Sequence, residues 1–335
     1  MITKNDWVAI TGSAGYIGSV LAKHCKKQGY NVLGCDMVYS TTPKSKQNYI
    51  DEIVACRYED PMFAVMCAHY KISKIFHLGG SASVPLSAKI PFHFYYNNVG
   101  NTAKMLHHLI DNGWHTRNNP IIIFSSTSSV YQENTTHKDE TAPIGSPNAY
   151  GRSKFTTEYL FKELLDFYNI PSVVFRYFCV AGGYGDVGQP LHYPHIIPRI
   201  MDAAYSGKPF TLFGCDWPTP DNSSIRDFIS VNDICRGHFH AADYAVGKAP
   251  AVHKFNMGTK DGISMLDLIH KFEDTVGTNV PYVVGERRTG DPAILLCDPS
   301  RFIKETGFVY NETLEDMLVS AWDWYNFKKE ENNGV

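Results

Sequence analysis

In the stretch NAYGRSK at 148–154, a tyrosine and a lysine stand four positions apart. On an α-helix that spacing places Tyr150 and Lys154 one turn apart on one face, with their tips in reach of a common ligand. A phenol with a pKa of about 10 is a poor base at neutral pH, but a neighbouring ammonium favours phenolate and makes Tyr150 a candidate general base. The same spacing also suits a plain surface pair on an amphipathic helix, so the surroundings must decide. Upstream, IIFSSTSSVY ends a strand-like run in hydroxyls, among which Thr127 can hydrogen-bond a substrate oxygen beside the tyrosine.

A second chemical motif lies near the start. TGSAGYIGS (11–19) carries Gly12, Gly15 and Gly18 directly after the apolar run WVAI and opens a helical pattern. Glycines there let the backbone approach a pyrophosphate, while the first helical N–H groups and the helix dipole favour its charge. Asp36 follows eighteen residues beyond Gly18, at the end of the next strand-like run, NVLGCD. A carboxylate in that place accepts from both adenosine ribose hydroxyls and repels a 2′-phosphate, which selects NAD over NADP.

The elements that must position these residues are legible as alternation. WVAIT, NVLGCD, KIFHLGG, PIIIFSST and SVVFRYF read as strands; YIGSVLAKHCKKQG, NNVGNTAKMLHHLIDNG and YGRSKFTTEYLFKELLDFY read as helices between them. The pattern predicts an α/β fold with a parallel sheet covered on both faces. After about residue 180 it breaks into the loop-like AGGYGDVGQPLHYP and LFGCDWPTPDNSS, followed by helical IIPRIMDAAYSG, MLDLIHKFEDTVG and LEDMLVSAWDWYNF; the last residues, KKEENNGV, read as a loose tail.

The 335 residues carry a formal net charge of -3, without the basic excess that nucleic acid or an anionic membrane would select. Phosphate contacts must come from a few placed arginines. No apolar stretch approaches the roughly 20 residues of a membrane span, and MITKNDWVAITG has no secretion-signal pattern. A cytoplasmic protein is expected. The eight cysteines form no CxxC pair and the fourteen histidines no HExxH, so reduced thiols and no protein-held metal are expected.

Taken together, these motifs resemble the extended short-chain dehydrogenase/reductases that act on nucleotide sugars. The resemblance covers nearly the whole chain, through TGSAGYIGS, NNVGNT, FSSTSSVY, YGRSK, RYF, LFGCDWPTPDNSSIRDFISVNDI, FNMGT and RRTGDPAILLCD. The glycine loop and YxxxK alone fit epimerases, dehydratases, decarboxylases and reductases of this family equally. DWPTPDNSSIRDFISV and RRTGDPA point to its hexose 4-epimerases, and STSSVY stands where 4,6-dehydratases carry an acidic TDE.

The resemblance implies a Rossmann-type doubly wound parallel sheet, residues 1–180 with a return segment near 228–258, and a smaller mixed α/β substrate domain over 181–335. It implies NAD held by Gly12, Gly15, Tyr16, Ile17, Gly18, Asp36, Leu78, Asn97, Ser125 and Tyr177. It implies a UDP-sugar substrate held by Cys179, His195, Phe213, Arg226, Arg288, Asp291 and Leu295, the arginines on the diphosphate, and a homodimer paired through helices around 92–113 and 149–168. The implied reaction is oxidation at sugar C4, turnover of the 4-keto sugar, and return of the same hydride to its other face. Lys154 would hold the nicotinamide ribose and depress the tyrosine pKa. Thr127 would steady the 4-oxygen.

The chain departs from the family where Cys179 replaces an asparagine, Ala82 a lysine and Arg57 an aspartate, and where VGNT reverses the usual order. Leu295, at a position where bulk governs tolerance of N-acetylated sugars, is neither large and aromatic nor small. Glucose/galactose, N-acetylated and uronic sugars therefore all stay open, as do dehydration and decarboxylation, and a non-catalytic NAD-binding role.

From this reading, Tyr150→Phe is expected to leave folding and NAD binding intact and to lower turnover by about two orders of magnitude or more. Steady-state rates beside circular dichroism test it, and a variant keeping most of its activity would remove Tyr150 from the role of base.

Overall fold

The computed structural model describes residues 6–38, 48–133, 137–191, 195–288 and 291–333. The apolar runs of the first half become strands buried on both faces, β1 (Trp7–Thr11), β2 (Asn31–Cys35), β4 (Lys74–His77), β5 (Ile121–Thr127) and β6 (Ser172–Tyr177), with the short, half-exposed β3 (Glu52–Val54) at the edge. Such strands need cover on two sides, which explains why they are nearly continuous in Val, Ile and Phe rather than alternating. A seventh strand, β7 (Val252–Met257), joins from far along the chain and pairs with β6 from Val252↔Ser172 to Met257↔Tyr177. All pairs are parallel, in the order β7-β6-β5-β4-β1-β2-β3.

Helices cover both faces. Tyr16–Lys27 and Val231–Val246 bury Leu21, Cys25, Ile234 and Phe239 against one side; Pro61–His69, Asn101–Asp111 and Ala149–Tyr168 bury Phe63, Met105, Leu109 and Phe161 against the other. Strand order reverses between β1 and β4. A crevice opens there beyond the carboxyl ends, the general ligand position of doubly wound sheets.

A smaller layer forms from the second half. Ile225–Ser230 pairs in parallel with Ile294–Cys297 and antiparallel with Gly262–Ser264, while Phe210–Phe213 pairs with Tyr282–Gly285. Its core gathers Ile197, Ile200, Leu212, Phe228, Leu268, Phe272, Met317 and Tyr325. Asp227, fully buried, accepts from the backbone N–H of Thr259 (2.8 Å), Lys260 (2.8 Å) and Cys297 (3.0 Å), so one carboxylate ties this layer to the end of β7.

The structure departs from the sequence reading in three places. Strand β3 and helix Pro61–His69 carry no clear periodic signal: the strand is three residues long, and the helix (PMFAVMCAH) is apolar almost all round. The helix expected around 92–113 begins at Pro91 but is not regular: it widens into a π-helical turn over Tyr95–Gly100, a feature often placed at functional sites. The expected loose tail is helical: Leu314–Asn333 runs through it, because Trp324 donates to the Gln189 carbonyl (2.8 Å) and Lys329 faces Asp202 (3.6 Å). Gly334 and Val335 lie outside the described residues. None of the helices among the described residues is long and apolar enough to cross a membrane.

Candidate active site

The glycine loop turns because its glycines can. Gly12 has φ +70°, and a side chain there would press on the Gly79 backbone N at 2.8 Å; one on Gly18 would run into the Gly12 carbonyl. Gly15 begins helix Tyr16–Lys27 with no side-chain cap and no acidic residue in its first turn. The leading N–H groups are thus left for an external anion. Asp36 braces the loop by accepting from Ala14 N–H (3.1 Å) and Val38 N–H (3.2 Å). Tyr16 donates to the Gly182 carbonyl (2.6 Å), and Ile17 and Leu78 pack against the sheet core. An uncapped helix start, a loop too tight for side chains and a strand-end carboxylate fit a dinucleotide.

The end of β4 forms the opposite bank. Thr11 Oγ1 contacts His77 Nδ1 (2.7 Å) and accepts from Gly79 N–H (3.1 Å). Burial, then the Lys154 charge, push His77 down to about 3, so it stays a neutral spacer. From the π-helical turn, Asn98 accepts from Ser81 N–H (2.7 Å) and donates to the Ser81 carbonyl (3.1 Å) and Ser153 Oγ (3.0 Å). Asn97 donates to Ser81 Oγ (2.9 Å) and accepts from Arg57 (3.1 Å), whose guanidinium is ion-paired to Glu59. The arginine at this position therefore has a local partner, and its charge reaches the cofactor bank through Asn97.

Helix Ala149–Tyr168 begins with Asn148 accepting from Gly151 N–H (2.8 Å). It delivers Tyr150 half-buried and edge-on to Phe94 (centroids 6.3 Å apart). One turn on, Lys154 is buried, its Nζ donating to the Ser125 carbonyl at 2.8 Å and lying 4.7 Å from the Phe124 ring centre. Burial pushes Lys154 down to about 7. One turn further, Glu158 accepts from Arg176 Nε (3.0 Å), Arg176 Nη2 (2.7 Å) and Ser126 Oγ (2.7 Å), all buried, and so locks the helix to β5 and β6. Thr127 ends β5 and caps the next turn by accepting from Ser129 N–H (3.1 Å). Tyr177 shares its hydroxyl with His238 Nε2 (2.8 Å) beside Ser125.

Two residues beyond Tyr177, Cys179 lies in the field of Arg226, Asp227 and Asp291, and burial pushes its thiol up to about 11. Arg226 donates to the Ile225 carbonyl (2.9 Å) and is in register with Leu295. Farther out, the Arg288 guanidinium sits 4.2 Å from the Phe213 ring centre. Part of His195 is open to solvent, yet the packing around its ring and then the Arg288 charge push it down to about 4. The residues expected to hold the cofactor thus lie along the glycine loop, the ends of β2 and β4 and the π-helical turn, and those expected to catalyse lie at the end of β5 and the start of helix Ala149–Tyr168; Thr289 and Gly290 of RRTGDPA, and His192–Pro194 before His195, lie outside the described residues. Motif reading passed over Glu158 and Arg176. Only a helical spacing of four from Lys154 to Glu158 hinted at the first.

A family model described as the NAD dependent epimerase/dehydratase family matches residues 8–258. The chain is 30% identical over 332 residues to the UDP-glucose 4-epimerase of Lactobacillus helveticus, covering 95% of this chain and 96% of that one. Its fold is similar to the UDP-glucose-4-epimerase of Stenotrophomonas maltophila with bound NAD and formylated UDP-arabinopyranose, with TM-score 0.88, 28% identity, and 97% and 99% of the two chains covered. It is also similar to the UDP-Glc/GlcNAc 4-epimerase of Campylobacter jejuni, with TM-score 0.80, 28% identity, and 96% and 99% covered.

The buried amine has a pH signature. A lysine whose folded pKa is lowered binds fewer protons folded than unfolded, so its burial penalty is full below about pH 7 and is relieved as pH rises towards the ordinary lysine range. The parent protein should therefore gain stability relative to Lys154→Met between pH 7 and pH 9.5, measured by denaturant titration of both; a difference that stays constant across this window would show that the amine is solvated.

Proposed function

The chain belongs to the NAD dependent epimerase/dehydratase family, and from that premise we propose that it catalyses 4-epimerisation of a UDP-hexose of the glucose/galactose type. The observation that carries this reading is the placement of Tyr150 and Lys154 against the end of β5, while Asp36 stands at the end of β2. In the strand order, β5 and β2 are separated by β4 and β1, three strand spacings or roughly 14 Å. An extended dinucleotide would bridge that gap, held by the glycine loop, with Asp36 for its adenosine ribose and Tyr150 on the side of its reactive ring. Residues 1–180 with the return near 228–258 form the cofactor half in this reading, and 181–335 mainly the substrate half.

NAD, when bound, supplies the acceptor and donor of hydride at sugar C4. Tyr150 takes the proton from the 4-hydroxyl and later returns one to the 4-oxygen. Thr127, at the strand end, holds that oxygen in line. Lys154 supplies charge one turn behind the phenol. With its pKa brought down to about 7 by burial, its ammonium is the form that a nearby phenolate restores. Inversion needs the keto sugar to present its other face, so the nucleotide must be gripped and the sugar left loose. Arg226 and Arg288 suit the diphosphate through paired donors, Asp291 suits a ribose hydroxyl, and Phe213 and His195 line the base.

Where an asparagine amide is usual, Cys179 offers only a weak donor, which leaves the sugar with less to hold it. The N-acetylated alternative is kept because one similar structure, that of Campylobacter jejuni, is described as a UDP-Glc/GlcNAc 4-epimerase.

We assign the protein to the cytoplasm and to a homodimer. Phe92, Tyr96 and Tyr159 stand 85%, 65% and 57% exposed on the helices expected to pair, a large aromatic area for a free surface. Sedimentation equilibrium should return twice the chain mass, and a monomer at micromolar concentration would remove this assignment.

The activity is tested by incubating pure protein with UDP-galactose, and separately with UDP-N-acetylgalactosamine, without added cofactor, and separating the products. The matching gluco sugar is expected from UDP-galactose. Silence with both sugars, and again after NAD is added, would exclude UDP-hexose epimerisation.

A further inference from the structure

Arg199 lies in the first turn of helix Ile196–Ser206, which has no side-chain cap at His195 and no acidic residue in that turn. A guanidinium at the positive end of a helix is electrostatically unfavourable unless something negative offsets it. Its neighbour makes the position worse. Arg199 sits 5.1 Å from the centre of the Phe213 ring, the ring that Arg288 approaches to 4.2 Å, so two like charges share one aromatic side chain. Burial, and then the Arg288 charge, lower the Arg199 pKa.

Arg57, Arg176, Arg236, Arg287 and Arg301 are matched by Glu59, Glu158, Asp233, Asp216 and Glu305, while Arg117, Arg152 and Arg226 donate to backbone carbonyls. Among the described residues, neither Arg199 nor Arg288 has a carboxylate partner. Asp202, the acid on the Arg199 helix, is engaged elsewhere, accepting from the Tyr325 hydroxyl (2.7 Å) and facing Lys329 (3.6 Å). Two half-buried guanidiniums meet on one ring, one of them in a helix first turn that holds no acidic residue, and their charge is left for an anion from outside.

Resting on the UDP-sugar reading above, we propose that Arg199 is a further binding residue for the diphosphate, acting with Arg288 across Phe213 and with Arg226 as a third cation. A diphosphate carries at least two negative charges and oxygens enough for several charge-assisted bonds. The physical benefit lies in where the grip falls. A third cation strengthens hold on the nucleotide without touching the hexose, as an enzyme that must let its keto sugar turn requires.

Calorimetric titration of the NAD-loaded protein with UDP and with uridine tests this. Arg199→Met should weaken UDP binding by about tenfold or more, one lost charge-assisted contact. Uridine affinity should stay within about twofold, and the salt dependence of UDP binding should flatten. If this variant fails to fold, Arg199→Gln supplies the same comparison. Equal weakening of UDP and uridine would mean that Arg199 only packs Phe213, and unchanged UDP affinity would mean that it serves solvent; either overturns the proposal. Failure of the parent protein to bind UDP would instead overturn the UDP-sugar reading, and this inference with it.

Discussion

The site depends on one buried amine. Lys154 has its charged end out of water, held by the Ser125 carbonyl at 2.8 Å and flanked by the Phe124 ring. Burying a lysine is costly, and here the cost is tolerated because the contact fixes helix Ala149–Tyr168 against the end of β5. The Glu158–Arg176 pair, with Ser126, makes the same join one turn further along. A slip of that helix along the strands would misplace Tyr150 and Thr127 together. The amine is therefore both the chemical neighbour of the phenol and one of two pins that set its position.

Around this pin the charges are arranged by sign. At the cofactor end, the protein offers an uncapped helix start and a carboxylate at Asp36. At the outer end it offers guanidiniums on Phe213. Between them lie neutral groups: His77, which burial keeps uncharged, Thr127, and Cys179, whose thiol burial keeps protonated. In the proposed reading, anions would be held at these two ends, and the groups between them offer a turning sugar only weak polar contacts.

Arg57 shows how a departure from a family pattern can be absorbed. An arginine beside the adenosine end would add a bare cation, but Glu59 two residues on pairs with it and Asn97 accepts its remaining donor. The π-helical turn that carries Asn97 and Asn98 also ties the β4 loop to Ser153 on the catalytic helix. Cofactor bank and catalytic edge consequently share one hydrogen-bonded frame.

By itself the sequence determined the α/β class, the five main strands of the first half, the glycine loop, the strand-end place of Asp36, and the placing of Tyr150 and Lys154 one turn apart on one helix. These are local: a period of two or 3.6, a turn that only glycine can make, and a spacing of four on a helix each depend on neighbours along the chain. Tertiary structure alone decided that Val252–Met257 completes the sheet, that Glu158 meets Arg176, that Arg57 is matched, and that Arg199 and Arg288 crowd one ring. The C-terminal helix belongs with these. KKEENN has no apolar period of its own, and the helix runs through it to Asn333 because the preceding turns are anchored through Trp324 and Tyr325, and Lys329 finds Asp202. Apart from the Arg57–Glu59 pair, two residues apart, these contacts join residues well separated in the chain, where no local spacing can register whether a charge will find its partner or be left for a ligand.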